Sequence, residues 1–131
     1  MFYLFLLGKV LLGVYFLISG YRHFSQLKML TGYTASKKVP FPEFAVILTG
    51  VIMFLGGFSI ITGFYLTHAL GLLIISLIGI SFFMHRYWEV SDPMARMGER
   101  VNFEKNLALA GTLMILLPIS LMMPMLFALK F

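Results

Sequence analysis

The stretch from about residue 44 to residue 66 contains no charged side chain. A helix needs about 20 consecutive apolar residues to cross the hydrocarbon core of a bilayer, and this stretch is long enough. Only 11% of the whole chain is charged, whereas a soluble domain carries about 25%. The stretch therefore predicts a membrane-spanning helix, and the composition indicates that the bilayer is the solvent for the rest.

Three further apolar runs lie at about residues 2–21, 68–88 and 107–129. Lys9 is the only charge in the first run, which lacks a basic leading region and a small-residue cleavage site. We therefore interpret it as a retained helix rather than a signal peptide. The 131 residues are predicted to form one all-α membrane domain, residues 1–131, built as a bundle of four transmembrane helices with no extramembrane catalytic domain.

The connection over residues 22–43 carries apolar side chains at three-residue spacing, at Phe24, Leu27, Leu30 and Tyr33. Lysines lie between and after these positions. The pattern is typical of a short amphipathic segment that lies on the lipid headgroups.

The connection over residues 85–106 contains an Asp92-Pro93 pair, which is typical of a helix start with an aspartate cap and a proline at the first position. We therefore predict a short helix from Pro93 to about Arg100, before the last span. Between the second and third spans, the residues Thr67 and His68 are predicted to form a very short turn.

Basic residues in short loops set the orientation of a membrane protein. Four lie in the first connection and four in the third, namely Arg22, Lys28, Lys37, Lys38, Arg86, Arg96, Arg100 and Lys105. The second connection has none, and the C-terminal tail has only Lys130. The two basic connections are therefore predicted to face the cytoplasm, with both termini outside, in the cell (inner) membrane.

Composition also limits the kinds of chemistry and the binding partners that the chain can have. The chain has no cysteine, which excludes a disulfide relay and a thiolate metal site. Its net charge of +5 comes from residues that flank apolar runs, as expected for contacts with anionic lipid rather than nucleic acid. We expect membrane lipid as a partner and no nucleic acid.

Small residues occur in every span, which predicts close helix packing because helices in lipid associate by backbone approach. The alternative is that some glycines open a crevice for a flat ligand.

The order of residues resembles that of the DoxX/DoxD family of small four-helix membrane proteins. The resemblance is carried by Gly13, Phe16, Ser19, Gly20, Tyr33, Ala35, Lys37, Val39, Pro40, Gly56, Gly57 and Gly63, and most specifically by His85, Trp88, Asp92, Pro93, Arg96 and the run from Asn102 to Gly111. One departure is Met53, where many relatives carry a glutamate three residues before the double glycine.

The resemblance implies a component of a quinone-linked or stress-related membrane oxidoreductase system, which binds or positions a lipophilic quinone-type molecule. No self-sufficient catalytic apparatus is visible in the chain, so it is at most one subunit of an oxidoreductase. The alternative is a non-enzymatic assembly or scaffold protein that packs against larger membrane partners or against itself. A small-molecule carrier is less favoured, because prolines interrupt only the last span.

Nine residues are candidates for ligand binding: Lys9, Arg22, His85, Trp88, Asp92, Arg96, Asn102, Lys105 and Asn106. Lys9 either snorkels to the interface or holds a polar group between helices. The two asparagines share one helical face and either satisfy free backbone groups or bind ligand carbonyls. Trp88 belongs either to an interfacial aromatic belt or to a stacking surface. Neither a haem nor a metal site is expected, although His23 and His85 lie at one membrane face.

Cysteine labelling tests the predicted orientation in a chain that has no native thiol. Cysteines placed at Ser36 and Ala95 should not react with an impermeant reagent in intact cells, because both positions are predicted to face the cytoplasm. Their reaction would show that the orientation is inverted.

Overall fold

A computed structural model describes residues 1–128, and the regular structure in that part of the chain is helical throughout. The helices are α1 (Phe2–Ser25), α2 (Leu27–Ser36), α3 (Pro42–Thr62), α4 (Leu66–Met84), α5 (Pro93–Met122) and α6 (Pro124–Phe127), with a short 3₁₀ turn at Tyr87–Glu89. Helices α1, α3, α5 and the segment from α4 to Glu89 are long and apolar enough to cross a membrane. The predicted all-α bundle of four spans is confirmed.

The turn between the second and third spans lies earlier than predicted. Helix α3 ends at Thr62, and Gly63 caps it in the left-handed conformation with φ 82°. Glycine takes this conformation without the steric penalty of a Cβ atom, which is why it so often ends a helix. The predicted turn at Thr67 and His68 is therefore wrong, because both residues belong to the first turn of α4.

The last span begins where the sequence places a helix start. Asp92 caps α5 by accepting a hydrogen bond from the backbone of Ala95 at 2.9 Å, and Pro93 is the first helical residue. The predicted short helix does not end near Arg100, however, because α5 continues unbroken through residues 101–106 to Met122. No capping signal interrupts these polar residues, and Arg100 pairs with Glu104 along the helix at 2.8 Å. Residue 129, the last predicted for this span, lies outside the described residues.

The spanning helices pack in the order α1, α3, α4, α5, and α2 packs against the start of α3. Thr34 is the buried residue of α2, so the predicted amphipathic segment is a helix with one inward side. Helices α1 and α5 lie at the two ends of this order and have little direct contact. The bundle is therefore open between α1 and α5.

The closest helix contact joins α1 to α3 through glycines spaced seven residues apart on both helices. A Cβ atom added to Gly20 would lie 2.5 Å from the backbone nitrogen of Phe54, and one added to Gly57 would lie 2.5 Å from the carbonyl oxygen of Gly13. No side chain fits at such separations, so the helices approach at this distance only because these positions are glycine. The predicted glycine-based packing is confirmed for this pair.

Substitution at Gly20 should destabilise the bundle, since the neighbouring atoms are backbone and cannot turn aside. We expect Gly20→Ala to lower the unfolding midpoint in mild detergent, followed by the fluorescence of the single tryptophan. Gly71→Ala on α4 is the control, because a Cβ atom there meets nothing within 4 Å. Equal midpoints for both variants would contradict the close α1–α3 contact.

Candidate functional site

A cavity of about 400 Å³ lies inside the bundle at the end that carries α2. Its polar lining residues are Tyr15, Ser19, His23, Tyr33, Thr34, Thr49, Ser76, His85, Lys105 and Asn106. Apolar side chains such as Val46, Met53, Ile80 and Phe83 form the other walls. A pocket whose walls combine apolar side chains with polar groups is the usual form of a site for a small organic molecule.

A carboxylate outside the cavity holds two of its lining residues in place. Tyr33 donates its hydroxyl hydrogen to Glu99 Oε1, and His85 Nδ1 lies 2.6 Å from Glu99 Oε2. Lys37 Nζ lies 3.4 Å from Oε1, and Arg86 donates to the Lys37 carbonyl oxygen at 3.1 Å. Glu99 thus joins α2, α4 and α5 at the basic end of the bundle.

The phenol of Tyr33 remains a donor in this arrangement. Burial raises the pKa of Tyr33, and the hydrogen bond and negative charge of Glu99 raise it further. The phenol therefore stays protonated at neutral pH and keeps donating to the carboxylate.

One face of α5 connects this polar network to the core. Glu99, Asn106, Leu113 and Ser120 follow one another at seven-residue spacing, which keeps them on the same side of a helix. Asn106 is 5% exposed, Leu113 is 0% and Ser120 is 5%. Glu99 and Asn106, in the polar first turns of this helix, therefore lie on its buried side.

Asn106 is 5% exposed and lines the cavity, and its amide takes part in none of the side-chain hydrogen bonds found among residues 1–128. The fully buried side-chain atoms without a partner in that part of the chain are Thr31 Oγ1 and Arg86 Nε, so the Asn106 amide reaches the open space of the cavity. Buried amides in folded proteins nearly always have a partner, either within the chain, in water or in a ligand. The interpretation that this amide satisfies a free backbone group is therefore not supported. Its donor and its acceptor are both available to a molecule in the cavity.

The two cavity histidines are both engaged through Nδ1. His23 Nδ1 lies 2.7 Å from the carbonyl oxygen of Ser19, which can only accept, so this nitrogen carries the hydrogen. His85 Nδ1 faces Glu99, which already accepts from other donors, and it donates in the same way. In the neutral form each ring is left with Nε2 as a hydrogen-bond acceptor.

Of the nine candidate residues, the cavity gathers His85, Lys105 and Asn106. The candidates at the same end that do not line it are Arg22, Trp88, Asp92, Arg96 and Asn102. Asp92 caps α5, and the ring of Trp88 lies 5.6 Å from that of Phe103 in an edge-to-face contact. These roles are structural and do not involve the cavity.

Lys9 lies at the opposite end of the bundle and belongs to a different part of the molecule. It is 6% exposed, and its ammonium donates to the carbonyl oxygen of Phe127. At about 1.5 Å per residue, the 14 positions between Lys9 and His23 on α1 separate them by about 21 Å along the axis. The side chain is directed inward, but not toward the cavity that is lined by His85, Lys105 and Asn106.

Glu99 and Tyr33 were not among the candidates, although both contact the site. The available signal was the seven-residue spacing of Glu99 and Asn106, which places an acid on the buried face of the last helix. Met53 is 7% exposed and lines the cavity, to which it presents a thioether. Among residues 1–128, no group of three or more histidine, aspartate or glutamate side chains is placed to hold a metal ion.

These features define a small multi-pass membrane protein with a cavity beside a carboxylate-centred polar network. A family model described as DoxX matches residues 4–86, which is more than half of the chain. The chain therefore belongs to the DoxX family. No curated protein and no solved structure matches it.

Loss of the Glu99 carboxylate should destabilise the bundle end, because an amide keeps only one of the two acceptor oxygens that Tyr33, His85 and Lys37 share and has no negative charge. We expect Glu99→Gln to cost about 1–3 kcal/mol of unfolding free energy, as for other hydrogen bonds to buried groups. Glu104→Gln is the matched control, since Glu104 forms only an exposed pair with Arg100, typically worth about 0.3–0.5 kcal/mol. Unfolding in mild detergent measures both, and equal losses would contradict the role of Glu99.

Proposed function

We propose that this protein is the membrane component of a quinone-linked or stress-related redox system and that its cavity binds a quinone-type molecule from the bilayer. The observation that carries the proposal is the Asn106 amide, which faces the cavity from a buried residue and makes no side-chain hydrogen bond among residues 1–128. A ligand with an oxygen near Asn106 would supply that partner. Membership of the DoxX family supports the proposal.

The size of the cavity fits the ring of such a ligand. About 400 Å³ lies within the range of about 300–1,000 Å³ that is typical of small-molecule sites. A long isoprenoid tail does not fit in that volume, so the tail would extend from the cavity into lipid. The apolar walls suit a ring, and the polar lining groups suit its oxygens.

The available hydrogen-bonding groups suit both redox forms of a quinone. The Asn106 amide and the Lys105 ammonium can donate to a ring carbonyl, while Nε2 of His23 or His85 can accept from the hydroxyl of the reduced form. The chain has no cysteine to carry electrons. In this proposal the electrons come from a partner oxidoreductase, and this protein binds and orients the ring.

Filling the cavity should remove the ligand without disturbing the fold. A Cβ atom added to Gly79 or to Gly71 meets nothing within 4 Å, but only Gly79 lines the cavity. We expect wild-type protein and Gly71→Leu, purified in mild detergent, to carry stoichiometric quinone in their lipid extracts. Gly79→Leu should lose it while keeping the same unfolding midpoint.

The same preparation tests the alternative. Equal quinone contents in all three proteins would contradict binding in this cavity. Quinone-free protein that consistently co-purifies with a larger membrane subunit would instead support an assembly or scaffold role.

A further inference from the structure

A second cavity, of about 490 Å³, lies between α1 and α5 at the opposite end of the bundle. Its walls are mainly apolar and include Phe5, Leu12, Ile60, Leu116 and Phe127. Lys9 is the one charged residue among those that line it in the described part of the chain. A cationic group in an apolar crevice is energetically costly, so its charge needs a compensating group.

The described residues satisfy the Lys9 ammonium only in part. It donates one hydrogen bond to the Phe127 carbonyl oxygen, and it lies 6.0 Å from the centre of the Phe127 ring. An ammonium group has three N–H donors, so two remain for other acceptors. An ion held in apolar surroundings is costly unless an opposite charge or further polar groups compensate it.

The acidic side chains of the protein do not provide that compensation. The chain has five acids, namely Glu43, Glu89, Asp92, Glu99 and Glu104. Glu43 lies in the first turn of α3, and the other four lie between the end of α4 and the early turns of α5, all at the basic end of the bundle. They therefore lie at the end of the bundle opposite to Lys9.

The crevice is accessible from the lipid side. Helices α1 and α5 have little direct contact, and the lining residues Leu11 and Thr112 are exposed at its edge. A molecule that diffuses within the bilayer can therefore reach Lys9 without passing through the cavity at the other end.

We propose that this crevice binds an acidic amphiphile, with one carboxylate or phosphate on the Lys9 ammonium and an alkyl chain against Leu12, Ile60 and Leu116. Fatty acids and anionic phospholipids share this chemistry. The site is separate from the cavity near Asn106, and it stands whether or not that cavity binds a quinone.

Binding of three probes to delipidated protein in mild detergent tests the proposal by native mass spectrometry and by the unfolding midpoint. The probes are palmitate, a phosphatidylglycerol, and hexadecanol, which has the alkyl chain without the charge. We expect palmitate or phosphatidylglycerol to bind at least tenfold more tightly than hexadecanol, and the stronger of the two identifies the source of the headgroup.

Lys9→Met should abolish the preference for the acidic probe, and Lys9→Arg should restore it. Lys28→Met is the control, because it lies at an exposed position of α2, and it should retain the preference.

If Lys9→Met does not fold, Gly8→Leu provides a second test. A Cβ atom at Gly8 meets nothing within 4 Å and the residue lines the crevice, whereas Gly111 is equally open but lies outside it. Gly8→Leu should block binding and Gly111→Leu should not.

Equal affinity for palmitate, phosphatidylglycerol and hexadecanol would overturn the proposal. The proposal would also be overturned if Lys9→Met lowered the unfolding midpoint by the same amount with and without the acidic probe. The partner of Lys9 would then lie within the chain itself.

Discussion

The approach of α1 to α3 is the contact on which the rest of the structure depends. Apolar side chains gain little by leaving lipid for another helix, so close packing of backbones has to hold such a bundle together. At Gly20 and Gly57 the neighbouring atoms are backbone atoms, which cannot move aside for a side chain. The same contact positions the cavity, because a Cβ atom at Gly50 would lie 2.6 Å from the Cβ atom of His23. The place of this histidine is therefore set by the absence of a side chain opposite it.

The extent of the α1–α3 contact is also related to the opening of the bundle between α1 and α5. Helix α1 is held mainly by α3 and has little contact with α5, so the first and last spans leave a crevice between them. Tyr15 lines both this crevice and the internal cavity, which places the two on either side of one residue of α1. An asymmetric arrangement of four helices thus produces two separate apolar spaces, each with polar groups at its own end.

Much of the fold follows from local features that the sequence displays directly. The length of the apolar runs predicts the four spans, and the Asp92-Pro93 pair predicts the start of α5, since both signals act within a few residues. The end of α3 was placed too late because Leu66 and its neighbours are apolar, whereas Gly63 determines where the helix stops. Hydropathy therefore locates a span, but a backbone conformation fixes its end.

The site was harder to predict because its central contact joins distant parts of the chain. Tyr33 and Glu99 are separated by 66 positions, and nothing in the local pattern of either residue reveals the other. Glu99 also lies in a stretch that was expected to connect two helices, and a carboxylate in a connection is usually solvated. Glu99 has its role because α5 is continuous, and this continuity places Glu99 and Asn106 on one buried face.

The continuity of α5 has a consequence for how the cavity works. Asn106 lies two turns beyond Glu99 on the same helix, so one element carries both the network outside the cavity and the amide inside it. Glu99 also keeps the hydrogen of His85 on Nδ1, so Nε2 of the neutral ring can only accept a hydrogen bond. A polar network at the basic end of the bundle thereby determines which nitrogen of His85 can accept a hydrogen bond, although Glu99 itself does not line the cavity.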